Sequence, residues 1–264
     1  MKYTLYEGDC LIALRTMPDL SIDLTVTSPP YDNLRTYKGY SFDFEAIAKE
    51  LWRVTKQGGV VVWNVSDATV DGSESGTSFR QALFFKECGF NLHDTMIYQK
   101  ANPGGARGSG YAYWQAFEFM FVLSKGRPKA INLLHDRPNA DGGRTGKQGG
   151  RRNKDGTVGE GRVIETSEFG RRTNIWVYST TVTDPIAKGH PAVFPEGLAR
   201  DHILSWSDEG EVVFDPFTGS GTTGKMAMQT RRQFVGCELS PEYAEIARNR
   251  IETAAQQAFD EMFK

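Results

Sequence analysis

The stretch Val26-Thr27-Ser28-Pro29-Pro30-Tyr31-Asp32 ends an apolar run with a hydroxyl, two prolines and an aromatic ring. Proline fixes its own φ and restricts the residue before it, so the Ser28 hydroxyl and the Pro29 carbonyl are held in nearly predetermined positions, with Tyr31 just beyond. Two successive prolines cannot continue a sheet ladder or enter a helix interior. The segment therefore reads as a rigid pocket wall at the end of a strand.

A second candidate lies far along the chain, in VFDPFTGSGTTG (residues 213–224). Gly219 and Gly221 stand between an apolar strand pattern and a helical one, where a ligand can approach the backbone closely. Asp215 leaves the strand end facing that crevice, able to take the ammonium group of an amino-acid-like ligand. Gly219 to Lys225 has the G-x4-G-K spacing, but Met226 stands where the Walker pattern needs Ser or Thr for the metal, which disfavours a triphosphate. Glu238 closes the next strand, twenty-three positions beyond Asp215. In dinucleotide-binding folds an acidic residue at about that spacing accepts hydrogen bonds from ribose hydroxyls. Together these residues suit a cofactor that carries a ribose and little phosphate.

The elements that must carry these groups follow from periodicity. YTLYEGDC reads as a strand, LIALRTM as a short helix and IDLTVT as a second strand. FDFEAIAKELWRVTKQGG places Phe44, Ile47, Ala48, Leu51 and Trp52 on one helical face, with Gly58-Gly59 expected to stop the helix before the strand VVVWNV. A helix over Phe79–Cys88 and strands at LHDTMIYQK, FEFMFVLSK and NIWVYS continue the pattern. A Pro-flanked helix at HPAVFPEGLARDHILSWS, the strand and helix around the glycine loop, and the strand QFVGCE follow. The last helix has Ser240 as its N-cap and Pro241 at its first position. Such alternation predicts an α/β fold, a mostly parallel twisted sheet with helices on both faces.

The 264 residues suit one large α/β domain, 1–264, with a flexible, basic insertion over 132–172 where apolar periodicity disappears. No apolar run is long enough to span a bilayer, and the N-terminus lacks a signal-peptide pattern, so a cytoplasmic protein is expected. The three cysteines show no Cys-x-x-Cys spacing, which makes disulfides and a zinc site unexpected. A net charge of −2 leaves nucleic acid open, because phosphate binding depends on local clusters.

At this point the chain resembles the S-adenosylmethionine-dependent DNA methyltransferases that modify exocyclic amino groups. TSPPY looks like their catalytic motif and FDPFTGSGTT like their cofactor motif, while HPAVFPEGL resembles the motif that closes over the methionine end of the cofactor. The catalytic motif precedes the cofactor motif, as in the circularly permuted β subgroup with its Rossmann-like methyltransferase fold. The resemblance implies S-adenosylmethionine as cofactor, held by Asp9, His190, Pro191, Phe194, Pro195, Asp215, Pro216, Phe217, Gly219, Ser220, Gly221, Thr222 and Glu238. Asp9 would face the adenine if the chain begins at the third strand of the cofactor half; it also fits a plain helix cap. Ser28, Pro29, Pro30 and Tyr31 would form the catalytic site, with a flipped-out base stacked on Tyr31 and its amine held by Ser28 and the Pro29 carbonyl.

Serine in the first position of this motif favours cytosine N4 over adenine N6, the alternative. Cytosine C5 chemistry needs a Pro-Cys nucleophile, and no cysteine here follows a proline. Double-stranded DNA is the expected partner, with Asn33, Arg35, Tyr37, Lys38, Lys100, Asn102, Arg144, Arg151 and Arg152 as candidate contacts. The insertion also carries Arg137, Lys147, Lys154, Arg162, Arg171 and Arg172, and its position resembles the family's target-recognition region. A monomer or homodimer is expected, in a bacterial, archaeal or phage-infected cell, with a possible cognate restriction endonuclease on a separate chain. A DNA-binding protein without turnover is the reading from a different class; the set Asp9, Ser28, Asp215 and Glu238 argues against it, and RNA remains open as a substrate.

Overall fold

The computed structural model describes residues 2–30, 42–103, 113–181, 184 and 194–261. They fall into two compact units, one of Met1–Asn132 with Asn174–Lys264 and one of Leu133–Thr173. In the first, β1 (Tyr3–Glu7), β2 (Ile22–Thr27) and β3 (Thr55–Val65) alternate with α1 (Cys10–Thr16) and α2 (Phe44–Val54). A small hairpin, β4 (Thr69–Val70) with β5 (Ser73–Glu74), leads to α3 (Thr77–Glu87), β6 (Asn91–Lys100) and β7 (Phe117–Ser124). The second unit holds β8 (Arg137–Pro138), β9 (Thr145–Gln148), β10 (Arg162–Glu165) and β11 (Phe169–Gly170). The first unit resumes with β12 (Ile175–Tyr178), α4 (Glu196–Trp206), β13 (Val212–Asp215), α5 (Thr222–Gln229), β14 (Gln233–Glu238) and α6 (Pro241–Glu261).

Eight strands form one sheet in the order β1-β14-β13-β2-β3-β7-β6-β12, with β7 antiparallel to both its neighbours and the other pairings parallel. The expected mostly parallel α/β sheet is thus present. β1, β14 and β13 lie side by side, so β1 is the third strand counted from β13, the strand that leads into the glycine loop. All six residues of β2 are buried, as a central strand covered on both faces requires. On one face Leu14, Ile47, Leu51, Trp63 and Phe85 pack into a continuous core with α1, α2 and α3. Against the other face lie α4, α5 and α6, with Leu198, Ile203, Ala247 and Ile251 fully buried.

Two local expectations need correction. Gly58-Gly59 does not stop α2, which ends at Val54 with Thr55 as its cap. Both glycines lie inside β3, where the register jumps from Ile22↔Thr55 to Leu24↔Val60. This irregularity uses Gly58 at φ +81°, and a Cβ on Gly59 would lie 2.8 Å from Thr55 Cγ2 and 2.9 Å from the Asp23 carbonyl oxygen. The segment 132–172, read as a flexible loop or insertion, contains two short antiparallel pairs, β9 with β10 and β8 with β11. Arg172 pairs with Asp136 inside this unit and Arg137 donates to the Arg171 carbonyl. Its strands are too short and polar to show a period of two.

Candidate active site

The parallel strands β1, β14, β13 and β2 end at one edge of the sheet, and each end delivers a polar group. Beyond β1 comes Asp9, at the end of β14 Glu238, at the end of β13 Asp215, and beyond β2 Ser28. Register fixes the neighbours: Glu7 opposes Glu238, and Asp215 opposes Gly236. Crevices at the carboxyl ends of parallel strands are the usual ligand sites of such sheets.

Asp215 is 4% exposed. Its Oδ1 accepts from the Thr27 hydroxyl at 2.6 Å and from the Phe217 amide at 3.0 Å, while the Thr223 hydroxyl beside it donates to the Val26 carbonyl at 3.3 Å. Burial pushes its pKa up to about 6; hydrogen bonds, that of Thr27 foremost, pull down, and the like charge of Glu238 adds to the rise. A buried carboxylate in this setting, held by neutral donors only, is poised for a cation.

Glu238 accepts from the Gly219 amide at 2.7 Å through Oε2 and from the Ser240 amide at 2.8 Å through Oε1. Burial raises its pKa and those backbone donors oppose the rise. Each oxygen keeps a second lone pair, enough to accept from a vicinal diol. Asp9 caps α1, its Oδ1 accepting from Leu11 at 2.7 Å and Ile12 at 3.3 Å. The capping alternative is therefore realised at that oxygen.

The glycine loop is built tightly. Gly219 and Gly221 have φ of +53° and +84°, and Gly221 is the N-cap of α5. A Cβ on Gly221 would lie 2.8 Å from Ala247 Cα in α6, so both the backbone conformation and the packing demand glycine. Pro216, Ser220 and Thr222 are buried, and Phe217 packs edge-on against Phe42 with ring centroids 5.5 Å apart. Ser28 and Pro30 are half-buried and Pro29 is buried.

The remaining sequence candidates separate into groups. Tyr31, Asn33, Arg35, Tyr37, Lys38, His190 and Pro191 lie outside the described residues. Phe194 is half-buried and Pro195 caps α4. Lys100 makes an ion pair with Glu118 at 2.9 Å, and the Asn64 amide donates to the same carboxylate at 2.6 Å. Lys100 is therefore committed within the sheet, whereas Asn102 is exposed. Arg144 pairs with Asp141 in the second unit, and Arg151 and Arg152 are exposed there.

Sequence reasoning missed Thr27 as the side-chain partner of Asp215. A hydroxyl in the last residue of an otherwise apolar strand was the available signal for Thr27. It also missed Arg250, which interrupts the buried face Ala244, Ala247, Ile251, Ala254 of α6. The cysteines stay outside the chemistry: burial pushes the Cys10 thiol up to about 12 and raises Cys237 as well. No helix among the described residues is long and apolar enough to cross a membrane.

Known proteins are similar to this chain in sequence and in fold. The orphan methyltransferase M.BamHII of Bacillus amyloliquefaciens is 56% identical over 242 residues, covering 88% of this chain and 89% of its own. The type II methyltransferase M.Cfr9I of Citrobacter freundii is 30% identical over 94% of this chain and 87% of its own. The PvuII DNA methyltransferase, described as cytosine-N4-specific, superposes with a TM-score of 0.71 at 20% identity, over 98% of this chain and 93% of that one. TTHA0409 of Thermus thermophilus, solved complexed with S-adenosyl-L-methionine, gives a TM-score of 0.63 at 22% identity, over 97% and 96% of the two chains. The family model described as DNA methylase, for N6 and N4 methyltransferases, matches residues 22–249. This chain belongs to the N6/N4 DNA methylase family, whose cofactor is S-adenosylmethionine.

Proposed function

We propose that this DNA methyltransferase modifies the N4 amine of cytosine in a base flipped out of duplex DNA. The observation that carries the choice of base is Ser28, which stands directly after β2 next to Thr27, the hydroxyl that holds Asp215. Serine supplies an uncharged acceptor at the position where the adenine enzymes of this family mostly carry aspartate. The cytosine-N4 description of the PvuII enzyme agrees with that reading.

The donor set fits the family cofactor. Asp215, buried and accepting from the Thr27 hydroxyl and the Phe217 amide, takes the ammonium of the methionine end. Glu238, already anchored by two backbone amides, accepts from the ribose hydroxyls, and Asp9 lies at the next strand end toward the adenine. The cofactor supplies an electrophilic methyl on a sulfonium.

An exocyclic amine is a poor nucleophile because its lone pair is delocalised into the ring. The Ser28 hydroxyl and the Pro29 carbonyl accept its two hydrogens, which favours a pyramidal nitrogen aimed at the methyl. The nitrogen lone pair forms the new bond, the pair of the broken bond stays on sulfur, and one amine proton departs to solvent. Tyr31 stacks on the base and offsets part of the unstacking cost of roughly a few kcal/mol. The unit 133–173, with Arg151 and Arg152 exposed, reads the target sequence and contacts phosphates.

The test is incubation with methyl-labelled S-adenosylmethionine and mixed-sequence duplex DNA, then nucleoside digestion and mass spectrometry. Labelled N4-methylcytosine is expected. Labelled N6-methyladenine would keep the mechanism and overturn the assignment of the base.

A further inference from the structure

Behind the glycine loop lies a cluster of four charges. Arg250 of α6, 2% exposed, donates through Nη1 to the Ser220 carbonyl at 2.5 Å, to the Ser220 hydroxyl at 3.1 Å and to Thr222 Oγ1 at 3.3 Å. Its Nε reaches Asp184 Oδ2 at 3.0 Å and its Nη2 reaches Glu196 Oε1 at 2.8 Å. Lys225 of α5 donates to the same two carboxylate oxygens, each at 2.8 Å. Two cations and two carboxylates thus alternate around one point, and the guanidinium extends the cluster into the backbone of the loop.

Stability alone does not account for this arrangement. Burying ions costs several kcal/mol each, and well-packed apolar residues often do as well or better. The rest of this face of α6 is alanine and isoleucine, so an apolar residue would suit the packing at 250. What only a planar, multiply donating cation can do is fix several acceptors at once. Here those acceptors belong to residues 220 and 222 of the loop, to Asp184, and to Glu196, the first residue of α4, directly after Phe194 and Pro195.

We propose that Arg250 is a positioning residue for the cofactor: it sets the shape of the loop 219–222 and ties it to Asp184 and to Glu196 at the start of α4. It acts through these groups and touches no reacting atom. Among the described residues the Lys225 ammonium bonds to those carboxylates and not to Ser220 or Thr222, so the two cations separate positioning from charge balance. The inference rests on the reading of this loop as the cofactor cradle.

The experiment is calorimetric titration of S-adenosylmethionine into the wild type and the variants Arg250→Lys, Lys225→Gln and Asp184→Asn, without DNA, with Tm measured alongside. Wild-type binding checks the cradle reading by itself. Given that binding, Arg250→Lys is expected to raise Kd at least tenfold, and Asp184→Asn, isosteric and able to fold if the lysine variant does not, about threefold to tenfold. Lys225→Gln is expected to lower Tm with a smaller change in Kd than Arg250→Lys. In steady-state assays Arg250→Lys is expected to raise KM for the cofactor while kcat and KM for DNA stay within threefold. A lowered Tm with Kd within twofold of wild type in both Arg250→Lys and Asp184→Asn would reduce the cluster to a structural role and overturn the proposal.

Discussion

Thr27 and Asp215, 188 residues apart in the chain, are joined by a hydrogen bond of 2.6 Å between buried side chains. It links the strand that leads into Ser28 to the strand that leads into the glycine loop. The candidate catalytic and cofactor motifs, remote in sequence, are therefore joined at one edge of the sheet.

Removing that bond separates its effects. Thr27→Val keeps the shape and leaves Asp215 with one donor fewer, which raises the carboxyl pKa further and costs about 1–3 kcal/mol of stability. S-adenosylmethionine affinity measured against pH is expected to lose its upper plateau at a higher pH than in the wild type. An unchanged midpoint would disconnect Thr27 from cofactor binding.

Asp215 also makes a prediction about pH and stability. Its folded pKa of about 6 lies above the ordinary 3.8, so its contribution to stability is fully present below 3.8 and is lost as pH rises through 6. Across that window the loss is roughly up to 3 kcal/mol, from about two pK units at 1.36 kcal/mol each. Asp215→Asn is therefore expected to flatten this part of the stability profile and to stabilise the cofactor-free protein at pH 8, while abolishing cofactor binding. Chemical denaturation from pH 4 to 8, with and without cofactor, reads both effects.

Ser28→Ala removes the side-chain acceptor and leaves the Pro29 carbonyl. A fall in kcat of about 10²–10³, the usual cost of losing one aligned transition-state contact, is expected with cofactor Kd unchanged. A matching rise in Kd would move Ser28 from chemistry to binding.

The basic residues divide by salt dependence. Arg151→Ala with Arg152→Ala is expected to reduce the slope of log affinity for DNA against log salt by about 2. Lys100→Met is expected to lower stability through the Glu118 pair and leave the slope unchanged, whereas a phosphate contact at Lys100 would reduce it by about 1.

Gly221→Ala introduces a Cβ at a left-handed φ of +84° and 2.8 Å from the backbone of α6. A loss above about 2 kcal/mol in denaturant unfolding is expected, with weakened cofactor binding. A variant as stable as the wild type would show that α6 can shift away from the loop.

Much of this molecule was legible in one sequence because its signals are local. Apolar runs bounded by Gly, Pro and Ser gave β2, β13 and β14, and Ser240-Pro241 marked the start of α6. The motif order placed β1 beside β14, as the sheet has it. Gly58-Gly59 misled because glycine serves helix ends and strand irregularities alike, and only the Asp23 carbonyl pressing on Gly59 distinguishes the two. Arg250 was missed for the opposite reason: its partners, Asp184 and Glu196, are set by tertiary packing that no local pattern records, as is the Glu118 partner of Lys100.

The strand order has a consequence for how the molecule is made. β1 and β2 leave the ribosome early, yet their neighbours β14 and β13 come from the far end of the chain, with Tyr3 opposite Phe234 and Leu24 opposite Val213. Until those strands emerge, β1 has no partner, and one edge of β2, buried along its whole length in the finished sheet, stays open. Such edges are templates for wrong pairing, and contacts this distant in sequence form slowly. The same strand order that joins Thr27 to Asp215 thus leaves the crevice unformed until β13 and β14 have been made.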